Sequence, residues 1–103
     1  MIAKDMAALS QLLSLLEARY AIRVLWALKD GQAQTFRALQ DSIGGITPNT
    51  LNTRIKELRA AGLMSHGGNG YLISNAGAEL LKRISGLAVF AVPWAAMQNK
   101  KKV

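Results

Sequence analysis

Apolar positions change their spacing several times along the chain, and each change marks an element. Met6, Leu9, Leu12, Leu13 and Leu16 recur at three- and four-residue steps with Ser10, Gln11, Ser14 and Glu17 between them, which predicts an amphipathic helix over 6–16. The stretch 19–28 is apolar nearly all round through Tyr20, Ala21, Ile22, Val24, Leu25, Trp26 and Leu28, the pattern of a helix enclosed by core. Asp30-Gly31 ends it. Thr35 offers a hydroxyl cap to a short third helix with Phe36, Leu39 and Ile43 as its inward stripe, closed by Gly44-Gly45.

Thr47-Pro48 is the strongest start signal in the chain. A capping hydroxyl stands before a proline whose fixed φ suits the first helical position, where its missing N–H costs nothing. The helix predicted over 48–61 turns Leu51, Ile55 and Leu58 to one side and stops at Gly62, a residue able to take the left-handed conformation that closes a helix. Leu63-Met64-Ser65-His66 and Tyr71-Leu72-Ile73-Ser74 then flank Gly67-Gly68-Asn69-Gly70, whose residues tolerate positive φ, predicting a hairpin over 63–74. A last helix, over 75–98, starts behind Ser74. It is expected to turn Ala78, Leu81, Ile84, Leu87 and Ala88 inward and to be kinked or ended by Pro93.

Helix, helix, short helix, tight glycine turn, capped helix, hairpin, helix is the order of a winged helix-turn-helix, mostly α with a small β-hairpin. At 103 residues the whole chain, 1–103, is expected to form one such domain. In this arrangement the short helix braces the next one so that its free face can enter a DNA major groove. With Leu51, Ile55 and Leu58 inward, 100° per residue sends Asn49, Thr53 and Lys56 directly outward, with Asn52 and Arg59 on one flank and Thr50 and Arg54 on the other. Asn pairs with adenine edges, Arg with guanine, Thr with a thymine methyl or a phosphate, and Lys with phosphate. Asn49, Thr50, Asn52, Thr53 and Arg54 are therefore the expected base contacts, and Arg37, Thr47, Lys56 and Arg59 the expected phosphate contacts. Any surface helix has a polar face, but small hydrogen-bonding residues in place of a Glu/Lys mixture favour recognition.

Charge agrees with a polyanionic partner. Thirteen Lys and Arg against six Asp and Glu give +7. Lys100, Lys101 and Lys102 supply three of these from the tail, leaving ten basic against six acidic residues, about +4, elsewhere. Cysteine is absent, which excludes disulfides, thiolate metal sites and thiol redox sensing. His66 stands alone, the carboxylates are scattered singly, and the four methionines are not closely spaced. No enzyme, metal or cofactor is expected. The first residues hold Lys4 and Asp5 and no apolar run leading to a cleavage site, so a cytoplasmic location is expected.

The segments 18–31 (ARYAIRVLWALKDG) and 35–64 (TFRALQDSIGGITPNTLNTRIKELRAAGLM) resemble the HxlR-type branch of the MarR-like winged-helix regulators. Its members have a Lys-Trp-led apolar helix, a Phe-containing helix, a Gly-Ile-Ser-Pro-Lys-Thr-Leu start to the recognition helix, and Arg-Leu-Arg-Glu-Leu before Gly-Leu. Here those positions read Arg19-Tyr20, Phe36, Gly45-Ile46-Thr47-Pro48-Asn49-Thr50-Leu51, Arg54-Ile55-Lys56-Glu57-Leu58 and Gly62-Leu63, and Ile73-Ser74-Asn75-Ala76-Gly77 resembles the start of the helix after the wing. The resemblance implies a bacterial, homodimeric regulator of transcription that binds double-stranded DNA and dimerises through its outermost helices. Three features depart from it: the wing loop is short and carries no basic side chain, the N-terminal cysteine that some relatives use as a sensor is missing, and Arg23 stands where the family is usually apolar.

The stretch 84–97 is uncharged and holds Leu87, Val89, Phe90, Val92 and Trp94, more apolar surface than a helix with one buried face needs. The run falls short of the ~20 residues of a membrane span and is interrupted by Pro93, so no stable insertion is expected, although an interfacial anchor helped by the lysine tail is a second reading. The expected role is a dimer interface of Leu87, Phe90 and Trp94 with Leu9, Leu12, Leu13 and Leu16. Taken together, the residues predict a regulator acting as a homodimer on a palindromic operator, open to a small-molecule effector of unknown identity. The alternative is a winged-helix protein–protein adaptor.

Overall fold

The structure, a computed structural model, describes residues 2–101. Lys102, named above, lies outside it. Five helices and one hairpin follow in the order α1 (Ala3–Leu16), α2 (Ala21–Ala27), α3 (Phe36–Ile43), α4 (Pro48–Ala60), β1 (Met64–Gly67), β2 (Gly70–Ile73) and α5 (Asn75–Lys101). This is the mostly helical winged helix-turn-helix read from the sequence.

The core is aliphatic. Val24, Leu25 and Leu28 from the α2 segment meet Leu39 of α3, Ile46 of the turn, Leu51, Ile55 and Leu58 of α4, Leu63 and Met64 at the hairpin, and Leu81 of α5. The inward stripes of the three middle helices thus meet in one cluster. Thr35 caps α3 by accepting the Ala38 N–H at 3.1 Å. Thr47 caps α4 by accepting the Thr50 N–H at 3.2 Å, with Pro48 in the first turn, as the sequence motif required. Gly62 takes φ +76 just past α4.

The hairpin is antiparallel, pairing Met64 with Ile73, Ser65 with Leu72, His66 with Tyr71 and Gly67 with Gly70. The strands therefore reach further into the glycine run than expected, leaving only Gly68-Asn69 as the turn. Positive φ falls on Gly70 (+124), not on Gly68 or Asn69. Gln34 adds a third, single-residue rung, its N–H donating to the Tyr71 carbonyl at 2.9 Å and its carbonyl accepting the Tyr71 N–H at 2.7 Å. Its side chain donates to the Ala27 carbonyl at 2.6 Å. The hairpin is thereby tied to the end of α2.

Several expectations for α2 and α5 are corrected. Helix α2 begins at Ala21, because Tyr20 sits at φ +74 and breaks the helical run. It is also not enclosed all round, since Ile22 and Trp26 are exposed, Trp26 at 48%. Of the two outcomes expected at Pro93, ending is overturned: helix α5 runs through Pro93 to Lys101. With that continuity α5 is long and apolar enough, by length and composition, to cross a membrane, so neither shortness nor interruption of the apolar run speaks against a span. Finally, α5 faces the core through Gly77, Leu81 and the half-buried Leu80 and Ile84, whereas Ala78, Leu87 and Ala88 are exposed. The inward stripe is rotated from the expected one and ends after its first three turns.

Candidate nucleic-acid interface

Helix α4 is seated by its buried side. Leu51, Ile55 and Leu58 are buried in the core, and the turn leading into α4 is fastened to α3 by Gln40 Nε2, which donates to the Ile46 carbonyl at 3.1 Å. A helix held at its start and along one face has a fixed orientation, which placing several side chains on base edges requires. The opposite face is free: Asn49, Asn52, Thr53, Lys56 and Arg59 are all exposed. Thr53 donates its hydroxyl to the Asn49 carbonyl at 3.0 Å, which leaves its methyl and an acceptor lone pair outward.

The other expected contacts differ from this group. Thr50 is half-buried, and its hydroxyl oxygen accepts from the Thr47 hydroxyl at 3.0 Å, so both threonines are engaged in the cap. Arg54 is half-buried and turned back into the protein. Its Nε donates to the Arg19 carbonyl at 2.8 Å, and a terminal nitrogen pairs with the Glu57 carboxylate. Arg54 therefore fastens α4 to the joint before α2 and does not stand free on the exposed face. Arg37 is exposed on α3 beside the Gly44-Gly45 turn, lining a surface cleft with Gln40, Asp41 and Ile46.

The hairpin tip offers no cation. His66 lies flat on Tyr71, ring centroids 4.2 Å apart and planes inclined by 15°, an aromatic surface with a polar edge. Two arginines that the sequence pattern does not place, Arg19 and Arg23, flank Tyr20, with guanidinium carbons 4.9 and 5.6 Å from its ring centroid. Tyr20 in turn donates its hydroxyl to the Gly45 carbonyl at 3.4 Å, in the turn before α4. No periodicity could reveal this grouping, because it depends on the backbone of Tyr20.

Away from this face, α1 buries no residue fully: Leu9 is 39% and Leu13 50% exposed, while Leu12 and Leu16 are half-buried. On α5, Leu87 is 63%, Phe90 64% and Trp94 51% exposed. A cleft of about 540 Å³ lies between α1 and the last turns of α4, lined by Ala8, Leu12, Leu15, Ala60, Ala61 and Leu63, with Gln11 and Glu57 at its polar side.

A braced helix with one buried and one polar face, followed by a two-stranded wing, defines the class: a winged helix-turn-helix protein, of the kind that binds DNA and regulates transcription. The chain belongs to the HxlR-like helix-turn-helix family, whose model matches residues 15–99. In fold it is similar to the quinone-bound YodB from B. subtilis, with a TM-score of 0.78 and 22% identity over 82% of this chain and 96% of that one. No curated protein matches the sequence. The family is one of transcription regulators and not of enzymes.

Proposed function

We propose that the protein is a sequence-specific regulator in which one winged-helix domain per protomer binds duplex DNA and two protomers act together on a palindromic operator. The observation that carries this reading is the division of α4, with Leu51, Ile55 and Leu58 buried and Asn49, Asn52, Thr53, Lys56 and Arg59 free on the other side. We assign base contacts to Asn49, Asn52 and Thr53, and phosphate contacts to Lys56, Arg59 and Arg37. Thr47 and Thr50 serve first as the cap that sets where the helix starts, and Arg54 as the tether that sets its angle.

The dimer is assigned to α1 and the second half of α5, where the exposed leucines, Phe90 and Trp94 need a cover in water. Placing α5 in a bilayer instead would pull Leu81 and Ile84 out of the core they share with α4, which supports reading the protein as cytoplasmic. The cleft between α1 and α4 joins the helix assigned to dimerisation with the helix assigned to DNA. It is the place where an apolar effector would couple the two.

The test is selection from a random duplex pool, followed by a salt titration on the enriched sequence. The expected result is an inverted repeat with half-sites about 10–10.5 bp apart and affinity that falls steeply with salt. No enriched sequence and a flat salt response would favour the adaptor reading, for which the uncharged wing is the one supporting observation.

A further inference from the structure

The geometry points to a second DNA contact outside the recognition helix: Arg19 and Arg23, held on the ring of Tyr20, form a clamp for a phosphate of the duplex backbone. This rests on the DNA-binding reading above and extends it to residues that reading does not use.

Both arginines are exposed, and among the described residues neither forms an ion pair, whereas Arg54 and Arg83 each pair with a glutamate. A guanidinium lying over a ring is held by the ring's negative face while its N–H groups stay free at its own periphery. That is the state a phosphate needs, since bidentate N–H donation to two oxygens loses less freedom when the fork is already positioned. Tyr20 itself stands in the left-handed region at φ +74, the single non-glycine to do so among the described residues. A bulky residue there costs about 1–2 kcal/mol, and surroundings that impose such a conformation are commonly functional. The consequence here is geometric, because the turn at Tyr20 brings one arginine from before it and one from the first turn of α2 to the same ring.

The position of this group relative to α4 is fixed by two hydrogen bonds. Tyr20 reaches the Gly45 carbonyl, two residues before the Thr47 cap, and the Arg19 carbonyl is held by Arg54 of α4. The arginine pair is thus anchored to both the start and the middle of the helix assigned to the major groove. A cationic pair in that place meets the phosphates bordering the groove the helix enters. Phosphate contacts set register and add affinity without reading sequence, so the clamp orients α4.

The experiment compares the full chain with the R19Q/R23Q variant on the enriched duplex across a salt series. A K4Q/K82Q variant removes the same charge from helices α1 and α5, and thermal melts confirm that all three are folded. The Arg19 carbonyl is untouched by the first change. The expected result is a loss of about tenfold or more at low salt, a salt slope shallower by about 0.9 for each phosphate contact removed, and unchanged base preference. K4Q/K82Q should lose far less. Equal losses in both variants, or wild-type affinity and slope in R19Q/R23Q, would overturn the clamp while leaving the DNA-binding reading intact. Absence of salt-dependent binding by the unaltered chain would overturn that reading, and the clamp with it.

Discussion

Within α4, neighbouring polar residues serve unlike purposes, and the difference lies in what each side chain touches. Asn49 projects away with no side-chain partner among the described residues, so Asn49→Ala should leave the melting temperature unchanged and relax base preference at one position of each half-site, read by binding to single-base operator variants. Thr47 is a cap. Thr47→Ala should lower stability by about 1 kcal/mol, a fall of roughly 4–8 °C in melting temperature for a chain of this size, and Thr47→Ser should restore most of it. Arg54 lies between these cases, since its two partners are both within the protein. The helical wheel places it correctly, on the flank beside Thr50, but an angle does not say where a long side chain ends. The acceptor it finds, the Arg19 carbonyl, lies 35 residues away. That carbonyl is open to Arg54 only because Tyr20 interrupts the helical run, a fact no spacing encodes.

Elements were legible where two signals coincided. Thr35 and Thr47 each stand before a helix with a clear apolar stripe, and both caps form. The inward face of α5 was legible only in part, at Leu81 and Ile84, because its residues are apolar on several sides and periodicity alone could not choose Gly77 over Ala78 or end the stripe before Leu87 and Ala88. Packing chose, and Gly77 shows how. A Cβ at that position would come 2.1 Å from the Leu63 carbonyl oxygen and 2.8 Å from Ile73 Cγ1, so the first turn of α5 lies directly on the entry to β1. Two glycines in the same helix therefore predict opposite outcomes. Gly77→Ala should destabilise by about 1–3 kcal/mol through overpacking against backbone that cannot yield. Gly86→Ala, whose added methyl would have nothing within 4 Å, should stabilise by about 0.5–1 kcal/mol by relieving the helix of a flexible residue. Chemical denaturation of the two variants checks both, and a Gly77→Ala protein as stable as the original would mean that α5 does not dock as described.

At the scale of the whole molecule, the polar and apolar surfaces are segregated. The exposed Asn, Thr, Lys and Arg of α4 occupy one region, while Leu87, Val89, Phe90, Val92, Trp94 and Met97 leave the distal part of α5 uncovered. The apolar excess was legible from composition, and so was a last helix reaching beyond Pro93, but not that it would run on to Lys101. Leu87, Phe90, Trp94 and Met97 share one side of α5 at about 100° per residue. Burying this row against α1 of a second copy would remove water from several large side chains at about 25 cal/mol per Å² of apolar area, which is why self-association is the expected cover. A charge placed in that row, Phe90→Asp, should then shift the protein from dimer to monomer in sedimentation, because an unpaired carboxylate buried in an apolar interface is heavily penalised. The protomer's fold should persist, since Phe90 is 64% exposed within it, and the far-UV spectrum should change little. Each monomer keeps its own α4, so a half-site should still be bound weakly while affinity for the full inverted repeat falls by about 10²–10⁴, the advantage lost when the second contact is no longer tethered to the first. A Phe90→Asp variant that remains dimeric and binds the full operator as before would move the dimer interface elsewhere and leave this apolar face to another partner.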